Sequence, residues 1–321
     1  MEQAILDFAK QFAYEPTVEH SETLKTYTSF LLTGMGGSHL AADIVKNILP
    51  EIDLTIHHDY GVAPVSKEKS AQSLFIASSY SGNTEEVVEG YRQAKAAGTA
   101  IAVLATGGTL IALAKADGTP YIQIPDTGIQ PRSALGFSLL ALLKIMKQDA
   151  LLSQIQQLQH LLDPASLQKQ GEEIASKLEE KTPIIYASQK NLSIAYNWKI
   201  KCNETGKIPA FYNTIPELNH NEMNGFDLQE NSRHLAKQFC VILLSDDTDH
   251  PQNIKRMQVV KELYEARGIT TMEIPLSGAT SEEKIFTSIL TADWVAITLA
   301  KHYGHEAEQV PMIEEFKQKI T

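Results

Sequence analysis

The chain has 321 residues, 43% of them hydrophobic, and 28 basic against 39 acidic side chains give it a formal net charge of −11. That length supports a sizeable core and two domains, since domains usually run about 100–200 residues. The acidity makes a nucleic-acid backbone or an anionic membrane a poor partner, so an anionic ligand needs a local device that works against the global field.

The opening stretch "MEQAILDFAKQF" carries charges throughout and has no signal-peptide core. "TSFLLTGMGGS" predicts a strand entering a glycine turn, and "HLAADIVKNIL" then has helical apolar spacing. "LTIHHDY" reads as a short strand and "SLFIASS" as a buried one. The helix "TEEVVEGYRQAKAAG" follows, with Asn83 as its expected N-cap, Glu86 as capping-box partner and Gly98 as its stop. "TAIAVLAT" and "YIQIP" are two more strands, and the long helix "RSALGFSLLALLKIMKQ" closes the first half. Its apolar run is interrupted by Lys144 and falls short of membrane-spanning length.

The polar, Gln-rich connector "LLSQIQQLQHLLDPASLQKQGEEIASKLEE" holds the expected domain boundary, dividing the chain into 1–155 and 156–321. The pattern then restarts with strand "TPIIYAS", helix "LSIAYNWKIKCNETGK", strand "CVILLSD", helix "NIKRMQVVKELYEARG", strand "ITTMEIPL" and helix "KIFTSILTADWVAITLAKHYG". Strands alternating with helices imply an α/β fold of parallel sheets covered on both faces. The second half's first turn, "SQKNLS", lacks the glycines of "GMGGS", so the halves are expected to share a fold and differ in task. The two cysteines, Cys202 and Cys240, fit a reduced compartment and form neither a disulfide framework nor a CxxC pair. A soluble, cytoplasmic protein is expected.

Gly34 and Gly36 begin a dinucleotide fingerprint, but His39 stands where its third glycine belongs, and no GxxxxGK loop occurs. What remains is a turn, Gly36-Gly37-Ser38, at a helix N-terminus. Such a turn suits an anion and serves equally as a tight connection in which glycine allows positive φ. The stretch "SSYSGNTEE" places Ser79, Ser81 and Thr84 at a second strand-to-helix turn. In one parallel sheet both turns open at the C-terminal edge, where ligands bind. Their hydroxyl and N–H groups surround a phosphate without a full positive charge, although ordinary capping uses the same residue types.

Arg132, in "QPRSALG", brings a cation to a helix start, where the dipole prefers acids; a surface pair with Asp126 is its other use. Glu204, in "CNETGKIP", is a carboxylate near a helix C-terminus. That setting suits a general base at neutral pH, and a solvated surface glutamate looks the same. His220, in the loop "IPELNHNEMNGF", is able to act as acid or base or to be satisfied by backbone groups. Lys301, in "ITLAKHYGHE", lies near the end of the last long helix, where a cation also complements the dipole. No HxH, HExxH or paired Cys/His spacing occurs and the ten histidines are scattered, so no metal is expected.

Together "GMGGSHLAADIV", "SSYSGNTEEV", "QPRSALG", "CNETGK" and "PELNHNEMNGF" resemble the bifunctional phosphoglucose/phosphomannose isomerases, a family of the sugar isomerase (SIS) domain group in the phosphoglucose isomerase superfamily. The resemblance runs from about Thr28 to the C-terminus. "SYSGNTEE" with "GGS" marks the SIS domain generally, whereas "PELNHNE", with its histidine sixteen positions after Glu204, points to the isomerase.

The resemblance implies two SIS, flavodoxin-like domains per chain. It implies that Gly37, Ser38, Ser79, Ser81 and Thr84 bind a substrate 6-phosphate, that Arg132 lies over the reacting carbons, that Glu204 is the base, and that His220 and Lys301 handle ring opening. It further implies a homodimer in which His220 reaches the partner's site. The substrate is a sugar phosphate, with no metal, nucleotide or other cofactor. The reaction would be aldose–ketose isomerisation of glucose 6-phosphate and/or mannose 6-phosphate with fructose 6-phosphate through a cis-enediol. One rival is a non-catalytic SIS sensor of sugar phosphates, which keeps Ser79, Ser81 and Thr84 without needing Glu204, His220 and Lys301 together. The other is a nucleotide-dependent oxidoreductase with Asp59 reading a ribose, against which the missing third glycine stands.

Overall fold

In a computed structural model describing residues 1–227 and 230–320, the chain forms two compact units. One is Asp7–Leu162; the other is Asp163–Thr321 together with Met1–Leu6. In the N-terminal unit, β1 (Ser29–Thr33), β2 (Asp53–His57), β3 (Leu74–Ser78), β4 (Ala100–Ala105) and β5 (Tyr121–Gln123) form a parallel sheet in the order β2-β1-β3-β4-β5. Phe30 of β1 lies level with Leu54 on one side and Leu74 on the other. β3 is buried along its whole length, as its unbroken apolar run requires of a strand covered on both faces. Helices Glu85–Ala96 and Gly108–Asp117 cover one face, packing Val87, Tyr91, Leu110 and Ile111 on Leu31, Phe75 and Val103. The alternate residues Phe30, Leu32, Ile76 and Leu104 are also buried; they point to the other face, which helices Leu40–Ile48 and Leu135–Ile145 cover.

The helix Gly108–Asp117 escapes the sequence pattern. Its residues "TLIALA" are apolar all round and have no polar face to give a helical period. The helix after β3 also begins differently from expectation. Its N-cap is Thr84, which makes no side-chain cap bond, and Asn83 turns away to accept from the Thr109 backbone N–H and hydroxyl, 2.9 Å each. Gly98, at φ +71°, does end the helix region.

In the C-terminal unit, β6 (Thr182–Ser188), β7 (Phe211–Ile215), β8 (Phe239–Ser245) and β9 (Thr270–Pro275) form a second parallel sheet, ordered β7-β6-β8-β9. This repeats the order of the first four strands of the other sheet. β7 was not legible in the sequence because "FYNTI" is short and half polar, with Phe211 and Tyr212 exposed. Helix Leu192–Glu204 follows β6 and packs on helix Ser281–His302, which is buried along most of its length around Trp294.

The chain passes between the units after Leu162, within the Gln-rich connector, whereas the sequence pattern places the division after residue 155. The reason is local. Helices Asp149–Gln156 and Leu158–Leu161 bury Leu151, Leu152, Ile155 and Leu158 in the N-terminal unit. Among the described residues, no helix is long and apolar enough to cross a membrane.

Candidate active site

The order β2-β1-β3-β4-β5 is that of a flavodoxin-like sheet, whose switch point lies between β1 and β3. Both hydroxyl- and glycine-rich turns follow those two strands. They are joined directly. The Tyr80 N–H donates to Ser38 Oγ at 2.9 Å, and Ser78 Oγ donates to the Ser38 carbonyl at 2.7 Å. Ser79 is fully buried, and its Oγ accepts from the N–H groups of Gly82 (3.1 Å) and Thr84 (3.4 Å) while bonding Thr84 Oγ1 at 2.7 Å. It therefore organises the turn. Ser81 is exposed, and both it and Ser38 accept one backbone N–H, which leaves a hydroxyl proton to donate to a ligand. Gly82, at φ +72°, passes so near the neighbouring turn that a Cβ would lie 1.9 Å from the Gly107 carbonyl oxygen.

Arg132 comes to the same edge. It sits in a 3₁₀ turn, Pro131–Ser133, ahead of helix Leu135–Ile145. At 1% exposure it is among the largest fully buried side chains, so it is no solvent-exposed partner of Asp126. Its turn lies flat against the glycine turn. A Cβ on Gly37 would stand 2.7 Å from Pro131 Cβ and 2.9 Å from the Arg132 nitrogen. Glycine at 37 is thus required by close approach. The N-terminal unit gathers Gly37, Ser38, Ser79, Ser81, Thr84 and Arg132 at one sheet edge. That edge has N–H and O–H donors, with a buried arginine on the adjoining turn, and donors of these kinds are what a phosphate-bearing ligand calls for.

The other three residues stand on separate elements of the C-terminal unit. Glu204 is the last residue of its helix and is half-buried. Lys207 donates to the Glu204 backbone carbonyl and, at 2.6 Å, to the Gln309 carbonyl. A cation therefore caps the negative end of that helix, beside the carboxylate. Three residues earlier, Lys201 Nζ donates to Asp293 Oδ1 at 2.7 Å, with side chains 1% and 3% exposed. This pair ties the Glu204 helix to helix Ser281–His302. The sequence pattern singles out neither lysine. Lys207 is within sight in "CNETGK", but the Lys201 partner is remote in the chain.

His220 ends a 3₁₀ turn, Glu217–His220, and is exposed, with no hydrogen bond or ion pair to its ring among the described residues. Lys301 is the penultimate residue of its helix and pairs with Glu2 at 2.6 Å. Neither side chain bonds the Glu204 carboxylate.

The equivalent switch point of the second sheet, between β6 and β8, is closed by its own side chains. Ser188 Oγ donates to Asp249 Oδ1 at 2.8 Å, Asn191 Nδ2 donates to Asp246 Oδ2 at 3.1 Å, and Lys190 and Lys284 pair with Asp246 at 3.0 and 2.8 Å. Burial alone would raise the Asp246 pKa, but bonds from Lys284, the Thr248 N–H, Lys190 and Asn191 together hold it well below the usual carboxylate range. The polar groups at this edge are already engaged with one another, so the halves are alike in topology and unlike in what their edges offer a ligand. Among the described residues, no group of three or more His, Cys, Asp or Glu side chains is placed to hold a metal ion.

Comparison with known proteins supplies the family. Residues 167–320 match the family described as bacterial phospho-glucose isomerase C-terminal SIS domain. A crystal structure of a hypothetical protein from Thermus thermophilus superposes with a TM-score of 0.72 at 16% identity, covering 99% of this chain and 87% of that one. This likeness speaks for the fold. A D-glucosamine-6-phosphate 4-epimerase of Sulfolobus acidocaldarius is 29% identical over 246 residues, 75% of this chain and 76% of the relative. The bifunctional phosphoglucose/phosphomannose isomerase of Caldicellulosiruptor bescii is 33% identical over 308 residues, 91% of this chain and 89% of the relative. With the SIS fold in both units and that identity over nearly its whole length, the chain belongs to the family of the bifunctional phosphoglucose/phosphomannose isomerases.

Proposed function

We propose that this isomerase interconverts glucose 6-phosphate, mannose 6-phosphate or both with fructose 6-phosphate through a cis-enediol, as a cytoplasmic homodimer that needs no metal. Support comes from the 33% identity to a relative of that name over 91% of the chain, and from the donor-rich edge that collects Arg132 with both phosphate-type turns. Gly37, Ser38, Ser81 and Thr84 take the 6-phosphate, with Ser79 holding their turn. This grip is remote from the reacting carbons and serves to position them. His220 and Lys301 move the ring-opening proton from the C1 hydroxyl to the ring oxygen. Glu204 removes the C2 proton of the aldose and returns it to C1, while Arg132 stabilises the charge on the enediol oxygens. Glucose 6-phosphate and mannose 6-phosphate differ only at C2 and give the same enediol, so one base serves both.

The test is a coupled assay of purified, chelator-treated protein on fructose 6-phosphate, scored for both aldose products. Formation of either aldose, unaffected by chelation, is expected. Tight binding without turnover would give the sensor reading instead, and zinc-dependent recovery would overturn metal independence. The epimerase relative makes a second substrate worth including. Glucosamine 6-phosphate converted to its C4 epimer, with fructose 6-phosphate left untouched, would replace the proposed activity.

His220 is exposed and its ring makes no hydrogen bond or ion pair among the described residues, which suits a residue that completes a partner's site. Co-expressed Glu204→Gln and His220→Ala chains are expected to recover about a quarter of wild-type activity, because half the dimers are mixed and each mixed dimer has one intact site. No recovery above either inactive homodimer would remove the shared site.

A further inference from the structure

We propose that Glu222 is a positioning residue of this site: bonded to Tyr186 and Asn213, it fixes the loop that presents His220. The inference rests on the catalytic role proposed for His220. Two consecutive 3₁₀ turns, Glu217–His220 and Glu222–Phe226, meet at Asn221, so Glu222 lies two residues from the histidine on a tightly wound path. Its carboxylate takes one donor from each of two adjacent strands. The Tyr186 hydroxyl of β6 donates to Oε1, and Asn213 Nδ2 of β7 donates to Oε2 at 2.6 Å. Tyr186 is itself fully buried, with the Tyr264 hydroxyl 3.5 Å from its own. Burial, with Tyr264 and Glu222 alongside, pushes its phenol pKa far up, so it remains a donor throughout the working pH range.

Apolar contacts alone would hold the loop down. Leu218 and Phe226, at its two ends, are buried in the core cluster with Tyr186, Ile215 and Val241. Met223, between them, also packs against that cluster. A half-buried carboxylate adds a desolvation cost to that arrangement, and what it contributes in return is direction. Two charge-assisted bonds at fixed angles add directional restraint to those non-directional apolar contacts. Within the loop, Asn221 Nδ2 bonds Glu217 Oε1 at 2.8 Å, and from outside it Arg256 reaches Asn219 Oδ1 at 3.4 Å. Every polar residue flanking His220 is engaged in holding the turn, while the imidazole stands exposed. A group that must act on a ring oxygen needs that kind of support, since a misplacement of about 1 Å costs on the order of 10²-fold in rate.

The experiment compares Glu222→Gln, Tyr186→Phe, the double variant and His220→Ala on fructose 6-phosphate, with thermal unfolding of each. Both single variants are expected to lower kcat by about 10–10²-fold with KM within about twofold of wild type, because the phosphate grip lies on other turns. The double variant should fall short of the product of the two single losses, since the two substitutions share the Tyr186–Glu222 bond. Tyr186→Phe, which removes a single hydroxyl from an intact ring, decides the matter if Glu222→Gln fails to fold. A lowered melting temperature with kcat per folded molecule unchanged would make Glu222 merely structural and overturn the proposal. If His220→Ala has lost turnover while the Glu222 and Tyr186 variants retain it, the positioning role fails and the His220 role stands. If His220→Ala is fully active, the proposed role of His220 fails and the positioning role falls with it.

Discussion

Glu204→Gln is expected to lower kcat by ~10⁴-fold or more, at or above the top of the usual general-base range, while leaving KM nearly unchanged. Glutamine keeps the size and the hydrogen-bonding capacity of the side chain and removes its basicity. The backbone around it should not move. Position 204 closes a helix tied to helix Ser281–His302 by the Lys201–Asp293 bond, and its own carbonyl is held by Lys207. KM should survive because the phosphate is proposed to be held by turns on the N-terminal unit, which the substitution does not touch. The size of the effect exceeds that of an ordinary general base, since this carboxylate is proposed to carry the transferred proton and not merely to assist. Steady-state assays with fructose 6-phosphate measure the loss, and exchange of the substrate C2 hydrogen with solvent should vanish in parallel for both aldoses. Near-normal turnover of the variant would end the assignment. Loss of the glucose reaction with retention of the mannose reaction would demand a second base, for which Arg132, His220 and Lys301 as placed offer no carboxylate.

What was legible in the sequence was local. β1, β3, β4, β6 and β8 are uninterrupted apolar runs ended by turn residues, and a strand buried on both faces leaves that mark. The two ligand-type turns were legible for the same reason, because glycines and hydroxyls follow such runs directly. β7 and the helix Gly108–Asp117 were not, one being too polar and the other too uniformly apolar to show a period. Asn83 has the chemistry of an N-cap, and only the arrival of Thr109 from the next crossover turns it into a brace. Arg132 also read as a surface arginine until the fold buried its side chain and set its turn against Gly37. Partners far apart in the chain leave no local trace. Lys301 with Glu2, Lys201 with Asp293, and the carboxylates of Asp246 and Asp249 with Ser188 and Asn191 are facts of topology.

The second large effect follows from one of those remote partners. Asp293→Ala removes the carboxylate facing Lys201, whose side chain is 1% exposed, and leaves its ammonium in the core of the C-terminal unit. Breaking a buried pair by deleting one member costs about 3–5 kcal/mol, because the surviving charge loses its counter-charge without regaining water. Against a total stability of about 5–15 kcal/mol for a domain, that is a large fraction. In a unit of this size it corresponds to a fall in melting temperature on the order of 10 °C. Trp198 is already bonded to Ser288 at 2.9 Å and Trp294 to the Pro164 carbonyl at 2.7 Å, so the surrounding helices are pinned in place and cannot open to hydrate the lysine cheaply. The paired replacement Lys201→Met with Asp293→Leu removes both charges and fills similar volume, so it should recover most of the lost stability. Its kcat is the informative quantity. If the bond serves to hold the Glu204 helix in register, the double variant will be stable and still slow, with KM unchanged. Urea unfolding of wild type, single and double variants, followed by assay of each, separates the two contributions. An Asp293→Ala variant that unfolds at the wild-type urea concentration would show that the pair does not hold these helices.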